Sequence, residues 1–451
     1  MVKNLTEGKP LKLLFFFALP MVAGNFFQQL YNMVDSMVVG KFVGEDALAA
    51  VGSSFPVVFL AVAIASGLSM GCTVVISQLF GAGYIREMKT TISTALIALG
   101  VIGITIMGLG ELFASPLLKL LGTDPDIMTD SLIYLRIYFG GAIFLFLYNT
   151  LNGIYNALGD SNTPLKFLMV SALTNIGLDL LFVIRFHMGV TGVAWATLIA
   201  QGLCAVVSFY VLIRRLRKME NEPSSLHKKF NLFEMNAAKR IAKVGIPSML
   251  QQSIVSFSMM FMQGLVNSYG KVFVAGYTAA TKIDTLAMMP NMNFSNAMSS
   301  YTAQNIGAKK EKRVMEGYKA SLLMVLIFSV VITGIVYLFG PQLLGLFLNS
   351  GAEGSAMSYG LEYMKTVSVF YVLMGLLFVG NGLLRGAGDM GAFMLSSMSN
   401  LFSRVIIAYL LSYFIGASAI WWSIPIGWGV GALFSFLRVR SGKWKLKRIV
   451  G

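Results

Sequence analysis

Charge is scarce in this 451-residue chain: Asp, Glu, Lys and Arg together make up 12% of it, about half the share found in soluble globular proteins. That scarcity excludes an ordinary water-soluble domain. A mean hydropathy of +0.72 and uncharged runs of ~20 residues, long enough to cross ~30 Å of hydrocarbon as helix, indicate an all-α polytopic membrane protein. Alternating ten-residue strands are missing, which excludes an outer-membrane barrel. Cys72 and Cys204 are the only cysteines, and both lie in apolar stretches, so neither a disulfide framework nor a metal site is implied. Histidine is almost as rare. His187 and His227 fall in expected loops, and the chain has no H-E-x-x-H and no G-x-x-x-x-G-K-[ST], which argues against a histidine-based membrane enzyme and against ATP binding through a P-loop. The net charge of +15 does not point to nucleic acid, because the cations stand between apolar runs and read as topology signals.

What remains is organised by those runs. Twelve candidate spans lie between residues 13 and 437, the fourth at 132–157 and the tenth at 358–384. The basic start before Leu13 resembles a signal peptide, but the apolar run continues past Pro20 to Val39, too long for a cleaved signal. Lys3, Lys9 and Lys12, the stretch Arg214 to Lys243, the cluster Lys309 to Arg313 and the tail from Arg438 fall on one side. By the positive-inside rule both termini are cytoplasmic in a prokaryotic inner membrane. The expected division is an amino-terminal lobe at 1–213, a basic linker at 214–243, a carboxyl-terminal lobe at 244–437 and a basic tail at 438–451.

The two lobes repeat. Asn152-Gly153 with Gly159-Asp160 recurs as Asn381-Gly382 with Gly388-Asp389 at an offset of 229, and Gln78-x-x-Gly81-Ala82 recurs as Gln304-x-x-Gly307-Ala308 at an offset of 226. Six helices per repeat give the halves one orientation, related by an axis along the membrane normal. Two pseudo-symmetric six-helix lobes facing a cleft suit alternating access.

Ionisable groups inside spans are costly and functional by default. Asp35 lies in the first span, Asp179 in the fifth with Asn175 one turn before it, Lys282 and Asp284 in the eighth, and Arg404 in the eleventh. Counted from the span ends, Asp35, Asp179 and Thr197 share a level ~6 to 10 Å below the outer face. Such oxygen ligands suit sodium, and paired carboxylates equally hold a proton; the plainer alternative leaves Asp35 interfacial and Asp179 bonded to neighbouring hydroxyls. Pro20 is a hinge or a static kink in the helix that carries Asp35. Lys282 and Asp284 do not share a helical face, and Lys282 faces the cleft or snorkels. Arg404 is expected to brace its lobe against backbone carbonyls. Gln28, Gln29, Gln251, Gln252, Met259 and Met288 are candidate cleft residues, packing and interhelical hydrogen bonding being the alternative.

In order and spacing these motifs resemble the multidrug and toxic compound extrusion (MATE) transporters over essentially the whole chain: Pro20 and Asp35, Q-x-x-G-A at Gln78 and Gln304, the paired N-G and G-D elements, N-x-x-x-D at Asn175 and Asp179, and Arg404 in the eleventh span. The resemblance implies a cation-coupling site at Asp35, Asn175, Asp179 and Thr197, with Asn149 as a further ligand. It also implies a secondary antiporter, with no cofactor beyond a coupling H+ or Na+, that exports amphipathic, often cationic small molecules and acts as a monomer among membrane lipids. NorM-like members carry acids in the seventh and tenth helices; residues 246–269 and 366–384 contain none, which matches the DinF-like pattern. A lipid-linked saccharide flippase of the same superfamily is the alternative, and a membrane-embedded enzyme the third.

If the linker serves topology and not substrate recognition, neutralising Lys228 and Lys229 leaves drug resistance intact at matched expression. Loss of resistance to one compound alone would show the opposite.

Overall fold

The computed structural model describes residues 4–219, 230–348 and 354–450, and among these no strand occurs. Lys228 and Lys229 of the basic linker lie outside the described residues. The helices are α1 (Pro10–Val38), α2 (Glu45–Gly81), α3 (Ile85–Leu120), α4 (Met128–Gly140), α5 (Ala142–Ala157), α6 (Asn162–Leu180), α7 (Gly189–Lys218), α8 (Met235–Asn267), α9 (Lys271–Gly307), α10 (Glu311–Gly345), α11 (Gly354–Ser368), α12 (Tyr371–Ala387), α13 (Met390–Ile415) and α14 (Ser418–Arg440). The spans expected at 132–157 and 358–384 are each two helices, α4 with α5 bent by 51° and α11 with α12 bent by 53°. Counting each bent pair once leaves twelve elements, as the apolar runs predict. The first bend falls at Gly141, where a Cβ would stand 2.9 Å from Leu198 Cγ; only a glycine lets α7 approach so closely there. The basic linker is partly helical, since α7 continues to Lys218 and α8 begins at Met235.

The chain forms two compact units, Ala23–Leu250, and Gln251–Gly451 with Asn4–Val22. The first and second lobes therefore exchange helix ends: the start of α1 belongs to the second unit and the start of α8 to the first. Both helices contain a proline, Pro20 and Pro247, and each changes unit within three residues of it. Within the first unit, Gly67 and Gly71 of α2, one turn apart, face the start of α8, where any side chain would strike the backbone of Met249, Ile241 or Gly245. This small-xxx-small spacing permits backbone-to-backbone packing in a bilayer, where apolar burial supplies no preference between helix and lipid. Arg240 of α8 then pairs with Glu87 of α3 at 2.5 Å.

The sequence repeat has a structural cause. Ser69 Oγ of α2 donates to the Asn149 carbonyl of α5 at 2.6 Å, and Ser295 Oγ of α9 donates to the Phe378 carbonyl of α12 at 2.6 Å. Gly153 and Gly382 lie against those serines, with no room for a Cβ. Gly159 and Gly388 leave their helices at φ +72° and +85°, a left-handed conformation that favours glycine. The aspartate that follows is then an anchor. Asp160 accepts from the Asn162 and Thr163 amides at 3.1 Å, from Thr163 Oγ1 at 2.7 Å and from Arg215 of α7; Asp389 accepts from Arg438 of α14 at 2.6 Å.

Burial works against the Asp160 charge, but the hydrogen bonds from Thr163 and Arg215 outweigh it and hold the carboxyl below the ordinary value. The unfolded carboxyl thus takes up its proton first. The stabilisation is complete above the unfolded value, about pH 4, and is lost as pH falls through the folded one. Asp160→Asn is expected to cost roughly 2 kcal/mol, the scale of a hydrogen bond to a charged group, and to flatten the acid limb of thermal unfolding of the purified protein. An unchanged melting temperature would remove Asp160 from the anchors of the lobe.

Candidate functional site

Four helices of the first lobe meet around two acids. Asp35 stands near the end of α1, one turn after Tyr31; Asp179 stands near the end of α6, one turn after Asn175. At the i,i+4 spacing both members of each pair face the same way. Both acid-bearing helices pass into a single π-helical turn just beyond the carboxylate, Val39–Val43 after α1 and Leu181–Arg185 after α6. Such turns recur at functional sites because they displace the side chains beside them. Val39 and Val183 of these turns join Tyr134, Val190 and Val193 in a buried apolar cluster, which closes that end of the lobe about one helical turn from the acids.

Asp179 is wholly buried and Asn175 nearly so. The Asp35 and Asp179 carboxyls stand close enough to act on each other directly. A hydrogen bond between two carboxyl groups takes one shared proton, since neither carboxylate has a donor of its own. The Asn175 amide completes the network when Nδ2 donates to Asp179 Oδ2 at 2.9 Å and Oδ1 accepts from the Thr197 amide at 3.1 Å and its hydroxyl at 3.3 Å. That orientation is assigned from the network, as amide ends must be. Asp35 Oδ1 and Asp179 Oδ1 remain buried with no hydrogen-bond partner among the described residues. Unspent carboxylate lone pairs at this depth are expensive. The polar atoms gathered here are mostly oxygens, the donor type that hard cations take.

The structure therefore brings Asp35, Asn175, Asp179 and Thr197 together and gives Asn149 to another contact. Its Nδ2 turns back to the Leu145 carbonyl at 2.9 Å, and its carbonyl receives Ser69. Sequence reasoning missed the tyrosines. Tyr31 stands beside Thr197 and within electrostatic reach of both acids; Tyr134 of α4, which stacks on Tyr138 with ring centroids 6.5 Å apart, is within reach of them too. Their signal is the one-turn spacing of Tyr31 from Asp35 and of Tyr134 from Tyr138.

Within its spans the second lobe buries one acid among the described residues and answers it internally. Asp284 of α9 accepts from Tyr371 Oη at 2.6 Å and Tyr363 Oη at 3.0 Å, hydroxyls from the two sides of the α11–α12 bend. Arg404 of α13 acts electrostatically on Asp284 and on the Tyr277 phenol. The expected bracing of backbone carbonyls by Arg404 is not among the hydrogen bonds of the described residues, and its Nε has no partner there. At the offset of 229, Arg404 occupies the position of Asn175 and Tyr363 that of Tyr134. Lys282 is separate from this network and lies exposed, 5.5 Å above the Phe347 ring. Gln28 and Met259 are exposed, while Gln29, Gln251, Gln252 and Met288 are half-buried. Pro20 lies within a continuous α1.

Comparison with known proteins accounts for this arrangement. The MatE family model matches residues 20–181 and 247–410, one match in each half. The chain is 32% identical to the probable multidrug resistance protein YpnP of Bacillus subtilis over 99% of its length and 98% of that protein. It is 22% identical to the multidrug export protein MepA of Staphylococcus aureus over 95% of this chain and 93% of that one. A multidrug resistance MATE family transporter of the MOP superfamily, solved in an outward-facing conformation, superposes with a TM-score of 0.88 at 26% identity, covering 99% of this chain and 98% of the other. Proteins of this kind are transporters and not enzymes, and the chain, a multi-pass membrane protein with the same twelve-element plan, belongs to the MatE family.

Proposed function

We propose that the protein exports amphipathic, often cationic compounds across a prokaryotic cell membrane in exchange for inward-moving protons, with Asp35 and Asp179 as the coupling site and both basic termini in the cytoplasm. The observation that carries the reading is two neighbouring carboxyls with unpartnered oxygens in a buried pocket, because repulsion and desolvation there favour holding a proton. Sodium is the competing ion, since the same oxygens could ligate it.

The mechanism needs a difference in affinity and no new chemistry. With the proton bound, α1 and α6 are tied together through Asp35 and Asp179. With it released, two carboxylates repel across a poorly solvated pocket, and the helix ends that carry them are driven apart. If substrate binds better to one arrangement, proton and substrate antagonise each other, and linkage makes the antagonism reciprocal. Asn175 and Thr197 hold Asp179 in place in either state. The second lobe is passive in this exchange, because Arg404 and two phenols already compensate Asp284.

Asp35→Asn and Asp179→Asn should each stop export of a fluorescent cationic dye from proteoliposomes under an imposed pH gradient, and the double variant should be no worse, because members of one unit are not additive. Asn175→Ala removes a neutral ligand and is expected to retain part of the activity. A sodium gradient alone should drive nothing; export driven by sodium at uniform pH, and abolished by the same variants, would replace the proton with sodium at this site.

Asp284→Asn is expected to change the relative rates for different dyes while the dependence on the pH gradient persists. Loss of gradient dependence with dye binding preserved would transfer coupling to the second lobe.

A further inference from the structure

At the basic end of the first lobe, α3, α7 and the segment 230–232 enclose a cavity of about 890 Å3. Its lining is graded along its length. Arg86 and Lys89 near the start of α3 and Arg217 in the last turn of α7 stand at one end. Farther in, the walls are Ile213, Phe209 and Ile97, interrupted only by Ser93, whose hydroxyl is committed to the Leu232 carbonyl at 2.7 Å. Among the described residues no acidic side chain lines the cavity. The nearest acid in sequence, Glu87, is engaged by Arg240, and Arg86 and Arg217 form no ion pair with an acid among the described residues. On α3 the lining runs from Ile85 to Ile97, ~18 Å of helix, about one leaflet of a bilayer with ~30 Å of hydrocarbon.

We propose that this cavity holds one anionic phospholipid, with the phosphate between Arg86 and Arg217 and an acyl chain along Ile213, Phe209 and Ile97. Charge decides among amphiphiles. A cationic export substrate would meet the like charges of Arg86 and Arg217 at the entrance, and the ammonium of a zwitterionic lipid would meet them as well, whereas a phosphate that carries no compensating cation is attracted by both. The graded walls decide between a lipid and a free anion: a soluble phosphate would leave the apolar two-thirds of the lining without a partner. The site is remote in sequence from Asp35 and Asp179 and takes no part in the exchange they perform.

The test is native mass spectrometry of the delipidated full-length protein, titrated separately with phosphatidylglycerol and phosphatidylcholine. Phosphatidylglycerol should be retained selectively at one copy. Removing two interfacial cations in R86Q/R217Q should weaken that retention roughly 30-fold, at about tenfold or less for each cation. I213W, which fills the acyl end and leaves every charge in place, should weaken it too, so the outcome does not depend on one variant folding. K443Q/K447Q, which removes two exposed cations from the tail, should have no effect. Equal retention of the two lipids by the wild type, or equal loss in R86Q/R217Q and K443Q/K447Q, would overturn the site. Displacement of the lipid by glycerophosphate alone would overturn the lipid assignment.

Discussion

A carboxylate inside a membrane-spanning helix must be compensated, and the way each lobe meets that requirement organises the rest of the molecule. Removing a charge from water costs several kcal/mol even after relaxation, and hydrocarbon offers nothing in return. In the second lobe the compensation is permanent. Asp284 is held by Tyr363, Tyr371 and the field of Arg404, within a core that includes Trp421 and Trp428. In the first lobe the compensation is incomplete: Asp35 and Asp179 stand together without a cationic side chain, and each keeps an unpartnered oxygen among the described residues.

The internal repeat sharpens this contrast, because the frame around the two acids is the same. Ser69 and Ser295 make equivalent hydrogen bonds to α5 and α12; Gly159 and Gly388 end those helices in the left-handed conformation; Asp160 and Asp389 receive arginines from the last helix of their lobe. Against that shared frame one exchange stands out, Asn175 in the first lobe for Arg404 in the second. An amide can orient a carboxylate but cannot neutralise it. A guanidinium does both, and it is always charged. The acids differ as well: at the same offset Asp179 falls on Ala408 and Asp35 on Gly264, while Asp284 has no acidic counterpart in the first lobe.

Much of this was legible in the sequence, for identifiable reasons. Apolar runs revealed the twelve elements because a bilayer imposes a minimum length on each span, and helix rise placed Asp35, Asp179 and Thr197 at one depth because span ends are marked by charge and glycine. The bends within the fourth and tenth spans were invisible, since the residues on both sides of Gly141 and Phe370 are equally apolar. Tyr31, Tyr134 and Tyr138 escaped notice because tyrosine is common at membrane interfaces, and only the position of the acids singles these three out. The exchange of helix ends near Pro20 and Pro247 depends on which helices touch, which no periodicity records. The resemblance implied Asn149 as a further ligand; its Nδ2 returns to the Leu145 carbonyl of its own helix, a habit of polar side chains in helices that depends on local geometry.

The central claim is that Asp35 and Asp179 share a single proton, and infrared spectroscopy of the purified protein in lipid addresses it directly. Difference spectra between acidic and alkaline buffer should contain a protonated-carboxyl stretch that shifts on deuteration, belongs to one proton per molecule, and changes frequency in both Asp35→Asn and Asp179→Asn. Asp284→Asn should leave that band where it is. A spectrum in which the carboxyls of Asp35 and Asp179 titrate as two independent groups, each variant removing its own band and leaving the other unmoved, would contradict the account.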